Sequence, residues 1–251
     1  MNSIIINSSK EDNLLNKNSE DYYIYGNGKN IMNENNYPDI IKNFIHKEKE
    51  CIRKLLINKN YDCFYELGCA DARNVDIIVN TEINYHGIDI LSEYIHSGAN
   101  KINSLNLQKQ AEIFLLSIND FIKTFKYNYK NKNFVFFPFN LFGNLENPTE
   151  ILINLLNHKV DFFISMFNTN KLAREARNEY YLNCGLSPLI YKETNIGDTF
   201  FNKDGFKSIS YNEKYITNLI KEFIKKENDL IVSSFSEIST YYYIMNNRSS
   251  L

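Results

Sequence analysis

From Pro38 onward the apolar positions follow two alternating periods. Ile41, Phe44, Ile45, Ile52, Leu55 and Leu56 recur at helical spacing with Lys and Glu between them, which predicts a helix ending near Asn58 to Asn60. Residues 63–67 (Cys-Phe-Tyr-Glu-Leu) then read as a short buried strand, broken at Gly68. The alternation continues with a helix over 72–79, a strand over 85–90, a helix over 92–102, a strand over 113–116, a short helix over 121–125 and a strongly apolar strand over 134–137. Asn147-Pro148 predicts a helix start with Asn as cap and Pro in the first turn, and Ile151, Leu152, Leu155 and Leu156 give that helix its buried face. A strand over 162–167 follows, then a helix through Ala173, Ala176 and Tyr180.

The two ends read differently. A β-hairpin near 198–211 turns at Asp204-Gly205, an amphipathic helix carries Tyr215, Ile216, Leu219, Ile220, Phe223 and Ile224, and two strands (230–235 and 240–245) close the chain. The repeated β–α alternation predicts an α/β fold, a parallel sheet with helices on both faces and an antiparallel edge made by the closing strands. Residues 1–37 are polar and irregular apart from one aromatic island, Tyr22-Tyr23-Ile24-Tyr25, followed by a turn at Gly26-Asn27-Gly28. The expected organisation is an N-terminal segment over 1–37 and one domain over 38–251.

Composition narrows the class. The 251 residues are 43% hydrophobic and carry a formal net charge of −2, which suits a packed core and disfavours a protein built to coat nucleic acid. No run approaches the roughly 18 apolar residues of a membrane helix, and the N-terminus lacks the basic lead-in and cleavage site of a secretory signal. Cys51, Cys63, Cys69 and Cys184 form no C-x-x-C pair, and the four histidines are scattered, so neither a zinc site nor a disulfide framework is expected. Free thiols fit a cytoplasmic protein.

The chemistry concentrates in Glu66-Leu67-Gly68-Cys69-Ala70-Asp71-Ala72-Arg73-Asn74, a strand, a small-residue turn and a helix start. Such a turn lets a ligand approach the backbone and points N–H groups at an anion. A dinucleotide site wants a small residue at the last position of G-x-G-x-x-G/A, and Arg73 stands there instead. S-adenosylmethionine (SAM), with an ammonium and a carboxylate at its methionine end, suits an acid beside backbone amides, as Glu66 and Gly68 supply. Its ribose hydroxyls suit a second carboxylate at the tip of the next strand, and Asp89 stands there.

On these residues the chain resembles the class I SAM-dependent methyltransferases of the small-molecule type. Residues 66–74 are similar to the family's first motif, E/D-x-G-x-G-x-G, with Ala70 and Ala72 in place of the second and third glycines. Residues 85–90 resemble the second, and residues 134–145 the fourth-strand motif. The resemblance implies a Rossmann-like seven-strand sheet, mostly parallel with an antiparallel C-terminal hairpin. It implies cofactor contacts from Glu66, Gly68, Cys69, Ala70, Arg73, Asp89, Ile90, Phe137 and Pro138. Ser117 takes the place of the acid usual at the third strand's end, which gives Ser117 and Ile118 the adenine contacts. Alanine suits a tight turn only at negative φ, so the loop is expected to sit differently from its glycine counterpart.

The implied activity moves the methyl of SAM to an O or N atom of a small-molecule acceptor and leaves S-adenosylhomocysteine (SAH). RNA or protein methylation, or a non-catalytic SAM-binding subunit, are the alternatives; the absence of an N-P-P-Y-type motif and of a basic appendage disfavours nucleic acid. Candidate acceptor contacts are Tyr22, Tyr23, Tyr25, Asn140 and Phe201. The aromatic island is read either as packing on the core or as a lid whose ring faces suit a cation. No catalytic base is assigned.

Overall fold

The computed structural model describes residues 19–26, 28–124, 127, 130–224 and 228–246. Along them run α1 (Ser19–Tyr25), α2 (Gly28–Ile31), α3 (Asp39–Lys59), β1 (Cys63–Leu67), β2 (Asn84–Asp89), α4 (Ser92–Ser104), β3 (Ala111–Leu115), α5 (Ile118–Thr124) and β4 (Asn133–Phe137). They are followed by α6 (Pro148–Asn157), β5 (Asp161–Phe167), α7 (Lys171–Asn183), β6 (Ile190–Thr194), β7 (Gly197–Phe201), β8 (Lys207–Tyr211), α8 (Glu213–Phe223), β9 (Asn228–Ser233) and β10 (Ser239–Asn246). The predicted segment 1–18 lies outside the described residues.

One seven-stranded sheet has the order β3-β2-β1-β4-β5-β10-β9, and β10 runs antiparallel to both β5 and β9. The central strands β1, β4 and β5 are buried along their whole length, which is why they read as continuous apolar runs and not as alternations. Successive side chains point to opposite faces. Tyr65, Leu67, Val135, Phe137, Phe162 and Ile164 pack with α5, α6 and α8, while Phe64, Phe134, Phe136 and Phe163 pack with α3 and α4. The parallel register pairs Cys63 with both Asn84 and Asn133, so β1, β2 and β4 end side by side.

A second, antiparallel sheet β6-β7-β8 contains the expected hairpin and adds β6, which the sequence pattern did not suggest. With α1, α2 and α7 it builds a third apolar cluster around Tyr22, Ile31, Tyr37, Phe44, Phe167, Tyr180 and Phe206, beyond the ends of β4 and β5.

Three expectations need correction. No α-helix covers 72–79; turns lead into a short 3-10 helix over Val75–Ile78. Ala72 and Asn80 take left-handed φ values of 57° and 61°, and both the amide and side chain of Asn74 are drawn onto Glu66, so no helix can propagate. The polar N-terminal segment is not irregular over Ser19–Tyr25 and Gly28–Ile31, which are helical, and the aromatic island lies within α1. Asn147 makes no side-chain cap, although Pro148 does open α6; Asn170 caps α7 and Asn212 caps α8, each accepting an amide at 2.7 Å. No helix among the described residues is long and apolar enough to cross a membrane.

Candidate functional site

The loop leaving β1 alternates its handedness. Gly68, Ala70 and Ala72 have φ values of 61°, 49° and 57°, so both alanines adopt the backbone a glycine would favour. The negative φ expected of the two alanines is not adopted; both are left-handed, with alanine carrying the cost of that backbone. The loop is tied to the tip of β2, because Cys69 donates its amide to the Ile88 carbonyl at 3.0 Å and Ala70 donates to Asp89 Oδ2 at 2.8 Å. Asp89 Oδ1 accepts the Leu91 amide at 3.0 Å, which fixes the carboxylate from both sides. Burial raises the Asp89 pKa against the pull of these amides.

Glu66, at the end of β1, is 1% exposed. It accepts from Asn74 Nδ2 at 2.5 Å, from Tyr85 Oη at 2.6 Å and from the Asn74 amide at 3.3 Å. Burial nevertheless pushes its pKa up to about 7. Arg73 leaves the same loop and donates Nη2 to the Met32 carbonyl at 3.2 Å and to Tyr37 Oη at 3.1 Å. That pair of bonds fastens the N-terminal segment to the loop.

After β4 the chain makes two consecutive left-handed residues, Phe139 and Asn140, with φ of 41° and 61°. Asn140 donates its backbone amide to the Ser165 carbonyl at 2.9 Å, and its Nδ2 to Ser208 Oγ at 3.1 Å and the Ile209 carbonyl at 3.0 Å. Its Oδ1 accepts the Phe167 amide at 3.3 Å. One side chain thus joins the end of β4, the end of β5 and the second sheet. Gly143 lies so close to β8 that a Cβ there would stand 1.7 Å from the Ile209 carbonyl oxygen.

These elements enclose a cavity at the carboxyl ends of β1, β2 and β4, where ligands bind in open α/β sheets. Of the residues expected at a site, Glu66, Gly68, Arg73, Asp89, Ile90, Ile118, Pro138, Asn140 and Tyr23 line it. Cys69 and Ala70 are buried within the loop and outside the cavity wall, and Phe137 lies in the core beneath. Ser117 caps α5, accepting the Asp120 amide at 3.0 Å. Tyr22 is buried against Phe206, Phe201 is buried within β7, and Tyr25 is 82% exposed; none of these three is in the cavity wall.

Several lining residues were not among the expected site residues: Met32, Tyr94, Tyr180, Phe206, Ser208 and, above all, Glu48. Glu48 is 2% exposed on α3, within the buried stripe of Ile41, Phe44, Ile52 and Leu56. A charged residue inside an apolar stripe is the signal that could have found it. Its Oε1 accepts the Phe139 amide at 2.8 Å, and burial pushes its pKa up to about 7. The second sheet supplies Phe206 and Ser208 through pairings that no local pattern reveals.

No family model and no curated protein matches the chain. Solved structures do match. The plantazolicin methyltransferase BpumL, in complex with a monoazolic desmethylPZN analogue and SAH, is 16% identical with a TM-score of 0.62, over 96% of this chain and 98% of that one. The plantazolicin methyltransferase BamL, in complex with a triazolic desmethylPZN analogue and SAH, is 12% identical with a TM-score of 0.64, over 96% and 97%. Magnesium protoporphyrin IX methyltransferase from Synechocystis PCC 6803, with bound SAH, is 11% identical with a TM-score of 0.59, over 90% and 97%. At these identities the likeness concerns architecture, and strand order, antiparallel closing edge and near-complete coverage agree on it. The chain has the class I, Rossmann-like fold of SAM-dependent methyltransferases.

Proposed function

We propose that this chain binds SAM in the cavity at the ends of β1, β2 and β4 and transfers its methyl group to an O or N atom of a small-molecule acceptor. The observation that carries the proposal is the joint between the left-handed loop 68–72 and Asp89, which sets Gly68 and a fixed carboxylate together in the cavity wall. Asp89 accepts the Ala70 amide on one oxygen and the Leu91 amide on the other, with the Ile90 amide adjoining, and the lone-pair capacity that is left suits ribose hydroxyls. Ile90 and Ile118 give an apolar wall suited to adenine, and Arg73 a guanidinium suited to the methionine carboxylate. In similar folds three proteins were solved with SAH, which supports the same cofactor here.

The sulfonium supplies a methyl already activated for in-line displacement. The protein's part is to align the acceptor with it and to exclude water. Phe139, Phe206 and Tyr23 are apolar walls for that purpose, and Asn140 holds the loop that carries Phe139. We also propose that α1 and α2 act as a lid, since Tyr23, Ile31 and Met32 close one side of the cavity and Arg73 fastens Met32 to the cofactor loop. Among the charged lining residues, Glu20, Glu48, Glu66 and Asp89 outnumber Arg73, which disfavours a phosphate-rich acceptor and hence RNA.

The test is calorimetric. SAM and SAH should bind with micromolar affinity or better while NAD does not, and a labelled methyl should move from SAM to an acceptor in a metabolite extract. Binding of NAD in preference to SAH would overturn the proposal.

A further inference from the structure

Four carboxylates and one guanidinium line the cavity, and they are not equally occupied. A carboxylate offers about four lone-pair sites. Glu66 fills three of them with Asn74 and Tyr85, so most of its capacity is spent on holding the loop after β1. Asp89 is fastened to Ala70 and Leu91. Glu48 differs from both. It accepts a single amide, that of Phe139, with the Ser165 hydroxyl adjoining, so more of its lone-pair capacity is left than in Glu66 or Asp89; like them it has no salt bridge among the described residues. A glutamine would accept the same amide, so the local structure does not require an ionisable group here. An acid buried without a counter-cation is costly unless a ligand supplies the charge.

The surroundings narrow what that ligand charge is. Glu48, Glu66 and Arg73 line one cavity: Glu66 stands at the end of β1, Arg73 in the loop that follows it, and Glu48 is held by the Phe139 amide just beyond β4. A simple amine would answer the carboxylates and leave Arg73 without an anion. A zwitterion answers both signs together. Resting on the proposal that the cavity takes SAM, we infer that Glu48 is the counter-charge for the α-ammonium of the cofactor's amino-acid end, with Arg73 facing its α-carboxylate. Glu66, the acid at the motif position, becomes a positioning residue that shapes the loop through Asn74 and Tyr85. The Phe139 amide holds Glu48 against the end of β4, so the ammonium would be sensed by the segment that also walls the acceptor.

The experiment compares two ligands that differ in the amino-acid end. SAH carries it and 5′-methylthioadenosine lacks it, and both are titrated calorimetrically into the full chain and into Glu48→Gln. The expected result is a loss of tenfold or more in SAH affinity for the variant, with 5′-methylthioadenosine affinity unchanged within twofold. Glu48→Asp, which keeps the charge but withdraws it, should lose SAH affinity by a smaller factor and carries the same test if the glutamine variant does not fold. Unchanged SAH affinity would overturn the inference and return Glu48 to the acceptor side. An equal loss for both ligands would also overturn it, by reducing Glu48 to a structural role. Wild-type protein that binds neither ligand would instead overturn the SAM proposal itself.

Discussion

The Ala70 amide and Asp89 Oδ2 lie 2.8 Å apart, and that bond ties the loop after β1 to the tip of β2. The same carboxylate is therefore a latch within the protein and the proposed ribose ligand. Asp89→Asn puts an amide group where one of two N–H donors must be met. SAH affinity should fall by about 1–3 kcal/mol, and unfolding free energy by about 1 kcal/mol, even without ligand. Calorimetry and denaturant melts of the apo variant read the two effects separately. Unchanged SAH affinity would remove Asp89 from the proposed site.

Ala70 carries a φ of 49° with no glycine to relieve it. Its methyl belongs to none of the three apolar clusters, whereas Ala72 is 0% exposed within the cluster beneath α3 and α4. Ala70→Gly should therefore raise stability by about 1 kcal/mol through relief of the left-handed backbone. Ala72→Gly should be close to neutral, since the lost methyl packing offsets the same relief. Urea midpoints of both variants check this, and a destabilised Ala70→Gly would contradict the loop conformation.

Asn140 was expected to touch the acceptor, yet every polar atom of its side chain is engaged within the protein. Asn140→Ala leaves the Phe167 amide without its acceptor and forces a left-handed alanine. It should cost about 2–4 kcal/mol of stability. A variant that keeps wild-type stability while losing acceptor affinity alone would favour a direct contact over the structural role.

How much was legible beforehand follows from the range of the interactions. The strands β1, β4 and β5 announced themselves because burial on both faces leaves unbroken apolar runs such as Phe134-Val135-Phe136-Phe137. Glu66, Gly68 and Asp89 were readable because strand tips impose a local spacing on them. The missing helix over 72–79 was not, since it is cancelled by Asn74 reaching back to Glu66, a tertiary contact stronger than helical propensity. Glu48 and Ser208 meet the cavity only because α3 and β8 fold onto the end of β4 from opposite directions in sequence.

The last prediction concerns pH and follows from burial of Glu48. Facing the Phe139 amide, Ser165, Glu66 and Arg73, its carboxyl is raised from an ordinary 4.5 up to about 7, mainly by desolvation. A raised folded-state pKa means that the native protein holds the proton more tightly than the unfolded chain. The corresponding stability is complete below about pH 4.5 and is lost as pH rises through about 7. A shift of this size is worth on the order of 3 kcal/mol. Glu48→Gln has no proton to lose, so relative to wild type it should gain about 1–3 kcal/mol between roughly pH 5 and pH 8. Glu66 shifts in the same direction and stays in both proteins; because the two carboxyls repel, the gap reports the loss of Glu48 together with the easing of Glu66 that follows it. Urea unfolding of the two proteins at those pH values measures the gap, and a gap that does not change with pH would rule out a titrating Glu48. SAH should narrow the gap at the higher pH, since a bound ammonium gives the ionised carboxylate of the wild type the partner it otherwise lacks.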